Sequence, residues 1–142
     1  MANRKDMIAR VFTAVHEALY RASGGRLGGR VSRMPVLLLT TTGRKTGRSR
    51  TTPLTYFEDG DRVIIVASYG GDDRHPAWYL NLTANPQVTV TRGARASGMT
   101  ARTATAAEKA EWWPRITSTY QGYADYQKRT TREIPLVILS PT

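Results

Sequence analysis

The chain has no cysteine among its 142 residues, which excludes disulfide stapling, thiolate nucleophiles and cysteine-ligated metals. Histidine is nearly as scarce: His16 and His75 stand far apart, so a histidine-rich metal centre is not expected. Long apolar runs are missing too. Val36-Leu37-Leu38-Leu39 and Val63-Ile64-Ile65-Val66-Ala67 are strand-sized, far short of the roughly 20 residues that cross a bilayer. The amino-terminal stretch is charged and shows no continuous apolar block before a small-residue cleavage site. A soluble, cytoplasmic protein is expected. Acidic residues are also few: 11 Asp and Glu stand against 21 Lys and Arg, for a formal charge of +10. That surplus favours anionic partners, among them phosphates, acidic cofactors, nucleic acid and acidic lipid headgroups, without choosing between them. What is present is a chain sized for one domain and, at 40% hydrophobic residues, able to bury a core.

Residues 5–21 read as an amphipathic helix, with Met7, Ile8, Val11, Phe12, Val15 and Leu19 recurring at helical spacing and Lys5, Arg10, Glu17 and Arg21 on the remaining arc. Two roles are open to it: packing on the domain, or reversible contact of a basic helix with the inner face of the plasma membrane. A basic, glycine-rich connector over 23–30 follows. The expected division is therefore 1–30 for helix and connector and 31–142 for the folded domain.

From Met34 onward the texture is that of strands. Segments 35–42, 51–57, 62–68, 87–91, 98–105 and 136–140 are strand-like, and Glu58-Asp59-Gly60-Asp61 carries an Asp-Gly hairpin signal. A helix is predicted over 76–83, with Pro76 at its first position and Asn85-Pro86 ending it. Thr105-Ala106-Ala107-Glu108 forms a capping box before a helix over 109–116, which Pro114 should kink or end. A further helix over 118–129 brings Tyr120, Tyr123 and Tyr126 to one side. About six short strands with hairpin turns point to an α+β, mainly β fold: a small antiparallel barrel with helices on its ends and one flank.

The densest chemistry lies in Gly43-Arg44-Lys45-Thr46-Gly47-Arg48-Ser49-Arg50, where four cations occur with no acid among them between two predicted strands. Its glycines permit a tight turn and a close approach of backbone N–H groups to an anion. Arg44, Arg48 and Arg50 can fork onto phosphate or carboxylate, Lys45 adds a compact charge, and Thr46 and Ser49 offer hydroxyls. Such a loop is either a solvated basic hairpin or an anion cradle. Ala67-Ser68-Tyr69-Gly70-Gly71 ends an apolar strand and can lay bare backbone against a flat ligand, or simply turn. In Pro76-Ala77-Trp78-Tyr79-Leu80-Asn81-Leu82, Trp78 reads as core. Asn81 is poorly placed by helix propensity, which points to a specific hydrogen bond. The tyrosine triplet suits either a pocket for an apolar, oxygen-bearing ligand or a packing surface. No hydrolytic triad, no metal-ligand set and no nucleic-acid signature of basics interleaved with aromatics is present, so chemistry would have to come from a bound cofactor.

Taken together, 39–54, 67–71, 75–86, Trp112-Trp113-Pro114, the tyrosine triplet and Arg132-Glu133-Ile134-Pro135-Leu136-Val137 resemble, in order and spacing, the deazaflavin (coenzyme F420)-dependent nitroreductase family of actinobacteria, over about residues 34 to 142. The resemblance implies a split β-barrel related to flavin (FMN)-binding reductases, with F420 as cofactor. Carried over residue by residue, it implies that Arg44, Lys45, Thr46, Arg48 and Arg50 hold the cofactor's phosphate and polyglutamate tail. Pro53, Ala67, Ser68, Tyr69, Gly70 and Gly71 would lie along the ring, with Trp78 and Asn81 supporting that pocket. Thr55, Tyr120, Tyr123 and Tyr126 would shape the acceptor site, and Ser68, Tyr120 or Tyr126 would polarise or protonate the acceptor. Thr55 stands where the nitroimidazole-activating member has a tyrosine, and Tyr69 where it has a lysine, so a different acceptor preference is expected. The implied reaction is hydride transfer from reduced F420 to a quinone, an activated alkene or a nitro compound, with no metal. Two rival readings remain at this stage: an FMN-dependent reductase on the same barrel, and a small basic barrel that binds nucleic acid.

Overall fold

The computed structural model describes residues 34–142 and the backbone of residues 30 and 31. The helix expected over 5–21 and most of the connector over 23–30 lie outside the described residues. Among the described residues there are eight strands: β1 (Arg30–Val31), β2 (Met34–Thr42), β3 (Ser49–Thr55), β4 (Phe57–Asp59), β5 (Arg62–Val66), β6 (Gln87–Arg92), β7 (Arg95–Thr103) and β8 (Leu136–Pro141). A 3-10 turn covers Tyr69–Gly71, and three helices follow, α1 (Ala77–Ala84), α2 (Ala106–Thr119) and α3 (Gly122–Lys128). Every strand pairing is antiparallel. The sheet runs β1-β2-β6-β7-β8-β5-β4, with β3 on the edge of β2 opposite β6. This is the split β-barrel expected, mainly β with flanking helices.

Two apolar clusters explain why the sheet curls. Leu37, Leu39, Val63, Ile65, Val88, Val90, Met99, Ala101, Val137 and Leu139 alternate along their strands and meet inside the barrel, where Trp78 and Leu82 of α1 join them. The intervening residues Ile64, Val66, Leu136 and Ile138 face outward and are covered by Ile116 of α2 and Tyr123 of α3. Strands β5 and β8 are thus buried on both faces, which is why their sequences are continuous apolar runs rather than alternating ones.

Local chemistry sets most boundaries. Thr105 Oγ1 accepts from the Glu108 N–H at 3.2 Å while Glu108 Oε1 accepts from the Thr105 N–H at 2.9 Å, closing the capping box of α2. The Asp-Gly turn joins β4 to β5, with Asp59 opposite Arg62. Several expectations are corrected. The single strand over 51–57 is two, because β3 pairs along its length with β2 while β4 must pair with β5, so the chain breaks at Tyr56. Pro53 is tolerated because only one edge of β3 is paired with another strand. The last third of the barrel starts earlier than 98: β6 and β7 form a tight hairpin with Arg92 opposite Arg95 and Gly93 at φ 62°. Pro76 caps α1 in an extended conformation instead of starting it. Helix α2 runs through Pro114 to Thr119; one backbone bond is forfeited there, but Ile116 is fully buried and Trp112 and Trp113 pack on the outer cluster. The helix expected over 118–129 begins only at Gly122, since Tyr120 is extended at φ −143° and terminates α2. Among the described residues no helix is long and apolar enough to cross a membrane.

Candidate functional site

The cationic segment closes the β2–β3 hairpin, and its shape comes from its own backbone. Gly43 N–H donates to Arg48 O at 2.7 Å and Gly47 N–H to Gly43 O at 2.8 Å, with Gly47 in the left-handed region at φ 72°. The Arg48 N–H donates to Thr46 Oγ1 at 3.2 Å. Arg44, Lys45, Thr46, Arg48 and Arg50 are all exposed. Among the described residues no carboxylate pairs with any of these four cations; the ion pairs lie elsewhere, at Asp59–Arg62, Asp72–Arg74, Glu58–Arg92, Glu108–Arg102 and Glu133–Lys109. The loop is nevertheless not free to wander. Asn81 of α1, 4% exposed, accepts from both the backbone N–H and the guanidinium of Arg44 at 3.1 Å and donates to Thr41 Oγ1 at 3.3 Å. Its poor helix propensity is thus offset by three hydrogen bonds that fasten the loop to the barrel.

The segment after β5 precedes α1 in the chain and packs against Tyr126 and Arg129. It is unusually contorted. Tyr69, Gly70 and Gly71 have φ values of 46°, 63° and 83°, three successive left-handed residues. Gly70 is exposed, and a Cβ built on it would have nothing within 4 Å, so one face of its peptide is open. Gly71 is different: its Cβ would stand 2.8 Å from the Tyr126 carbonyl oxygen, so glycine there permits close packing on α3. Ser68 is 8% exposed, and its hydroxyl makes no hydrogen bond among the described residues.

Around this segment stand the tyrosines. Tyr123 is buried at 7% exposure, and its hydroxyl lies 2.5 Å from Thr55 Oγ1. Tyr120 and Tyr126 are half-buried with hydroxyls 3.5 Å apart, and the three rings meet at centroid distances of 5.2–6.4 Å. The hydrogen bond from Tyr120, followed by burial, pushes the Tyr126 phenol up to about 12. Burial raises Tyr123, the bond with Thr55 opposing it in part. Both therefore remain neutral hydroxyls that can donate a hydrogen bond to an acceptor oxygen.

Of the residues singled out from sequence, the fold gathers Ser68, Tyr69, Gly70, Gly71, Tyr120, Tyr123, Tyr126 and Thr55 around the 3-10 turn and α3. Arg44, Lys45, Thr46, Arg48 and Arg50 lie in the β2–β3 loop, which Asn81 fastens to α1. Trp78 and Ala67 belong to the barrel core, and Pro53 sits half-buried on β3 opposite Leu38. Two contributors stand in the motifs but had no role there. Thr41 anchors Asn81 from inside the barrel. Arg132 donates to the carbonyl oxygens of Ala67, Ser68 and Asp72 at 3.2, 2.8 and 2.9 Å. It also lies 3.3 Å from His75 Nδ1, and burial, then the Arg132 charge, lowers the His75 pKa.

Among the described residues the donor set fits a multiply anionic ligand with a flat head: four cations in one loop with no carboxylate partner and, on the turn after β5, an open peptide face and a hydroxyl without a hydrogen bond. Comparison with known proteins agrees. The family model for F420H(2)-dependent quinone reductase matches residues 12–141. An F420H(2)-dependent quinone reductase of Mycobacterium tuberculosis (strain ATCC 25618 / H37Rv) is 45% identical over 130 residues, covering 89% of this chain and 87% of that protein. A solved F420-H2 dependent reductase (FDR-A) is 42% identical with a TM-score of 0.68, covering 75% of this chain and 94% of that one. Another solved chain, described as a domain-swapped dimer, is 39% identical with a TM-score of 0.70, covering 89% of this chain and 97% of that one.

Proposed function

The chain belongs to the F420H(2)-dependent quinone reductase family, and from that premise we propose that it is an oxidoreductase passing hydride from reduced coenzyme F420 to a quinone-type acceptor. The observation that carries the reading is the loop of Arg44, Lys45, Arg48 and Arg50, held by Asn81 and left without a carboxylate partner among the described residues. Mutual repulsion in such a loop is relieved by a ligand bearing several negative charges, as the phosphate and glutamate tail of F420 does. When bound, the deazaflavin supplies the hydride; the protein's part is binding and orientation. In this reading the guanidinium groups of Arg44, Arg48 and Arg50 fork onto phosphate and carboxylate oxygens and the Lys45 ammonium adds a point charge. The open peptide face of Gly70 and the Ser68 hydroxyl lie along the ring, with Trp78 and Asn81 as support from behind. The hydroxyls of Tyr120 and Tyr126 hold and polarise the acceptor oxygen, Tyr123 and Thr55 fix that wall, and solvent supplies the proton. The division into an amino-terminal element over 1–30 and a catalytic barrel over 31–142, and a cytoplasmic location with that element as the one to test for membrane contact, are parts of the same proposal.

The test is anaerobic. Purified protein is titrated with F420 and with FMN, then mixed with reduced F420 and a series of quinones, enones and nitro compounds while cofactor oxidation is followed. Tight F420 binding and fastest turnover with quinones are expected. Preferential binding of FMN, or reduced F420 that stays reduced with every acceptor, would overturn the reading.

A further inference from the structure

Arg132 lies 64 residues from Ser68 in sequence, yet it governs the backbone that the proposed function places along the ring. Its guanidinium reaches the carbonyls of Ala67 and Ser68 before the left-handed run and that of Asp72 just after it. Three fixed carbonyls on both sides of three left-handed residues leave the turn little freedom. A non-glycine residue at positive φ is strained and persists only where surrounding contacts over-determine it. Tyr69 at φ 46° is such a residue. The arginine is itself fixed from behind. Gln127 of α3 donates to the Arg132 carbonyl at 2.8 Å and accepts from the Ile134 N–H at 3.0 Å. Thr130, which accepts from the Arg132 N–H at 3.3 Å, donates in turn to Asp73 at 2.8 Å. The same residue thereby joins the helix that carries Tyr123 and Tyr126 to the turn that carries Ser68 and Gly70.

We propose that Arg132 is a positioning residue for hydride transfer: by bonding the carbonyls of Ala67, Ser68 and Asp72 it holds the Tyr69–Gly71 turn in register with the tyrosine helix, so that cofactor and acceptor meet at a fixed separation. The proposal rests on the F420 reading of this site. Only a planar fork with several donors can serve three carbonyls at once, which lysine, a single point charge, cannot do. The partners of this guanidinium are the three carbonyls and His75, so the effect of Arg132 passes through the turn.

Arg132→Gln and Arg132→Lys are compared with wild type by three readouts. Amide hydrogen exchange in the cofactor-free protein follows Gly71 and Asp72, whose N–H groups bond Ser68 O at 2.9 Å and Tyr69 O at 3.1 Å, with amides of β5 and β8 as internal controls. F420 affinity is read by fluorescence titration, and kcat and KM by quinone turnover. Exchange at Gly71 and Asp72 is expected to accelerate roughly tenfold or more with the β5 and β8 amides unchanged, while kcat falls further than KM rises and Arg132→Lys recovers part of the loss. Unchanged exchange with lost turnover would overturn the staple; loosened exchange with unchanged kcat would overturn the positioning role. If Arg132→Gln does not fold, Arg132→Lys decides on the same readouts. A wild-type protein that does not bind F420 would overturn the functional reading and this role with it, a result distinct from any confined to the variants.

Discussion

Replacing Asn81 by alanine removes both acceptor bonds to Arg44 and leaves Thr41 Oγ1, itself 2% exposed, without its partner. An orphaned buried acceptor costs about 1–3 kcal/mol and the two bonds to the exposed Arg44, whose donors water then serves, together about 0.5 kcal/mol more, so a loss of about 2–3 kcal/mol is expected. At this chain length that lowers Tm by roughly 6–10 °C. The functional consequence is separable. With Arg44 released, the loop samples conformations in which its cations diverge, and loss of about 1.4 kcal/mol of loop order corresponds to roughly tenfold weaker F420 binding. Asn81→Asp gives the control: its carboxylate still accepts from Arg44, and the Thr41 hydroxyl can turn to donate to it, so Tm should hold while affinity falls because one of the four cations is neutralised. Thermal melts and fluorescence titrations on the three proteins read both effects. An Asn81→Ala protein that melts early yet binds F420 as wild type does would refute the claim that this anchor shapes the cofactor site.

Gly70→Ala and Gly71→Ala should diverge in urea melts. Alanine at 70 meets nothing and costs about 1–2 kcal/mol of left-handed strain, with F420 affinity reduced, whereas a Cβ at 71 would lie 2.8 Å from Tyr126 O and 3.0 Å from Tyr126 Cα, so the larger stability loss is expected there. Thr105→Ala should cost about 1 kcal/mol by opening the cap of α2. The Glu108 carboxyl, held down to about 2 chiefly by the Arg102 hydrogen bond, contributes stability that is intact above its ordinary range and lost only as pH falls through that value, seen as late acid melting of α2 helicity. His75, whose pKa is lowered by burial and by Arg132, favours the neutral form in the fold; stability should be full above about 6.5 and decline as pH drops below it, and His75→Phe should flatten that limb.

Much of this architecture was legible because it is local chemistry. The Thr105 capping box, the Asp59-Gly60 turn and the apolar strands each need only neighbouring residues. The cationic loop announced itself by charge density, and Asn81 by sitting in a helix for which its propensity is poor. What escaped is set at long range. Tyr56 breaks a strand because β3 and β4 have different partners, and Pro114 is carried by the burial of Ile116. Gly122 is required because a Cβ there would meet the Tyr120 ring at 2.3 Å, which splits the helix that periodicity joined. The three tyrosines looked equivalent in sequence, but Tyr123 is buried within the outer cluster, where its hydroxyl meets Thr55, while Tyr120 and Tyr126 pack half-buried against it. Arg132 stood in the sequence as part of a family motif. Its three carbonyl partners lie 60 or more residues away, beyond the reach of any spacing argument.

The grip of the cationic loop on the cofactor tail is measured by the dissociation constant of F420 beside that of the same deazaflavin stripped of phosphate and glutamates, each at low and at moderate salt, for wild type and for Lys45→Ala/Arg50→Ala. Wild type should bind the complete cofactor at least about tenfold more tightly, an advantage that shrinks as salt rises and largely vanishes in the double variant. Equal affinity for the two compounds, insensitive to salt and to the loss of both cations, would contradict that grip.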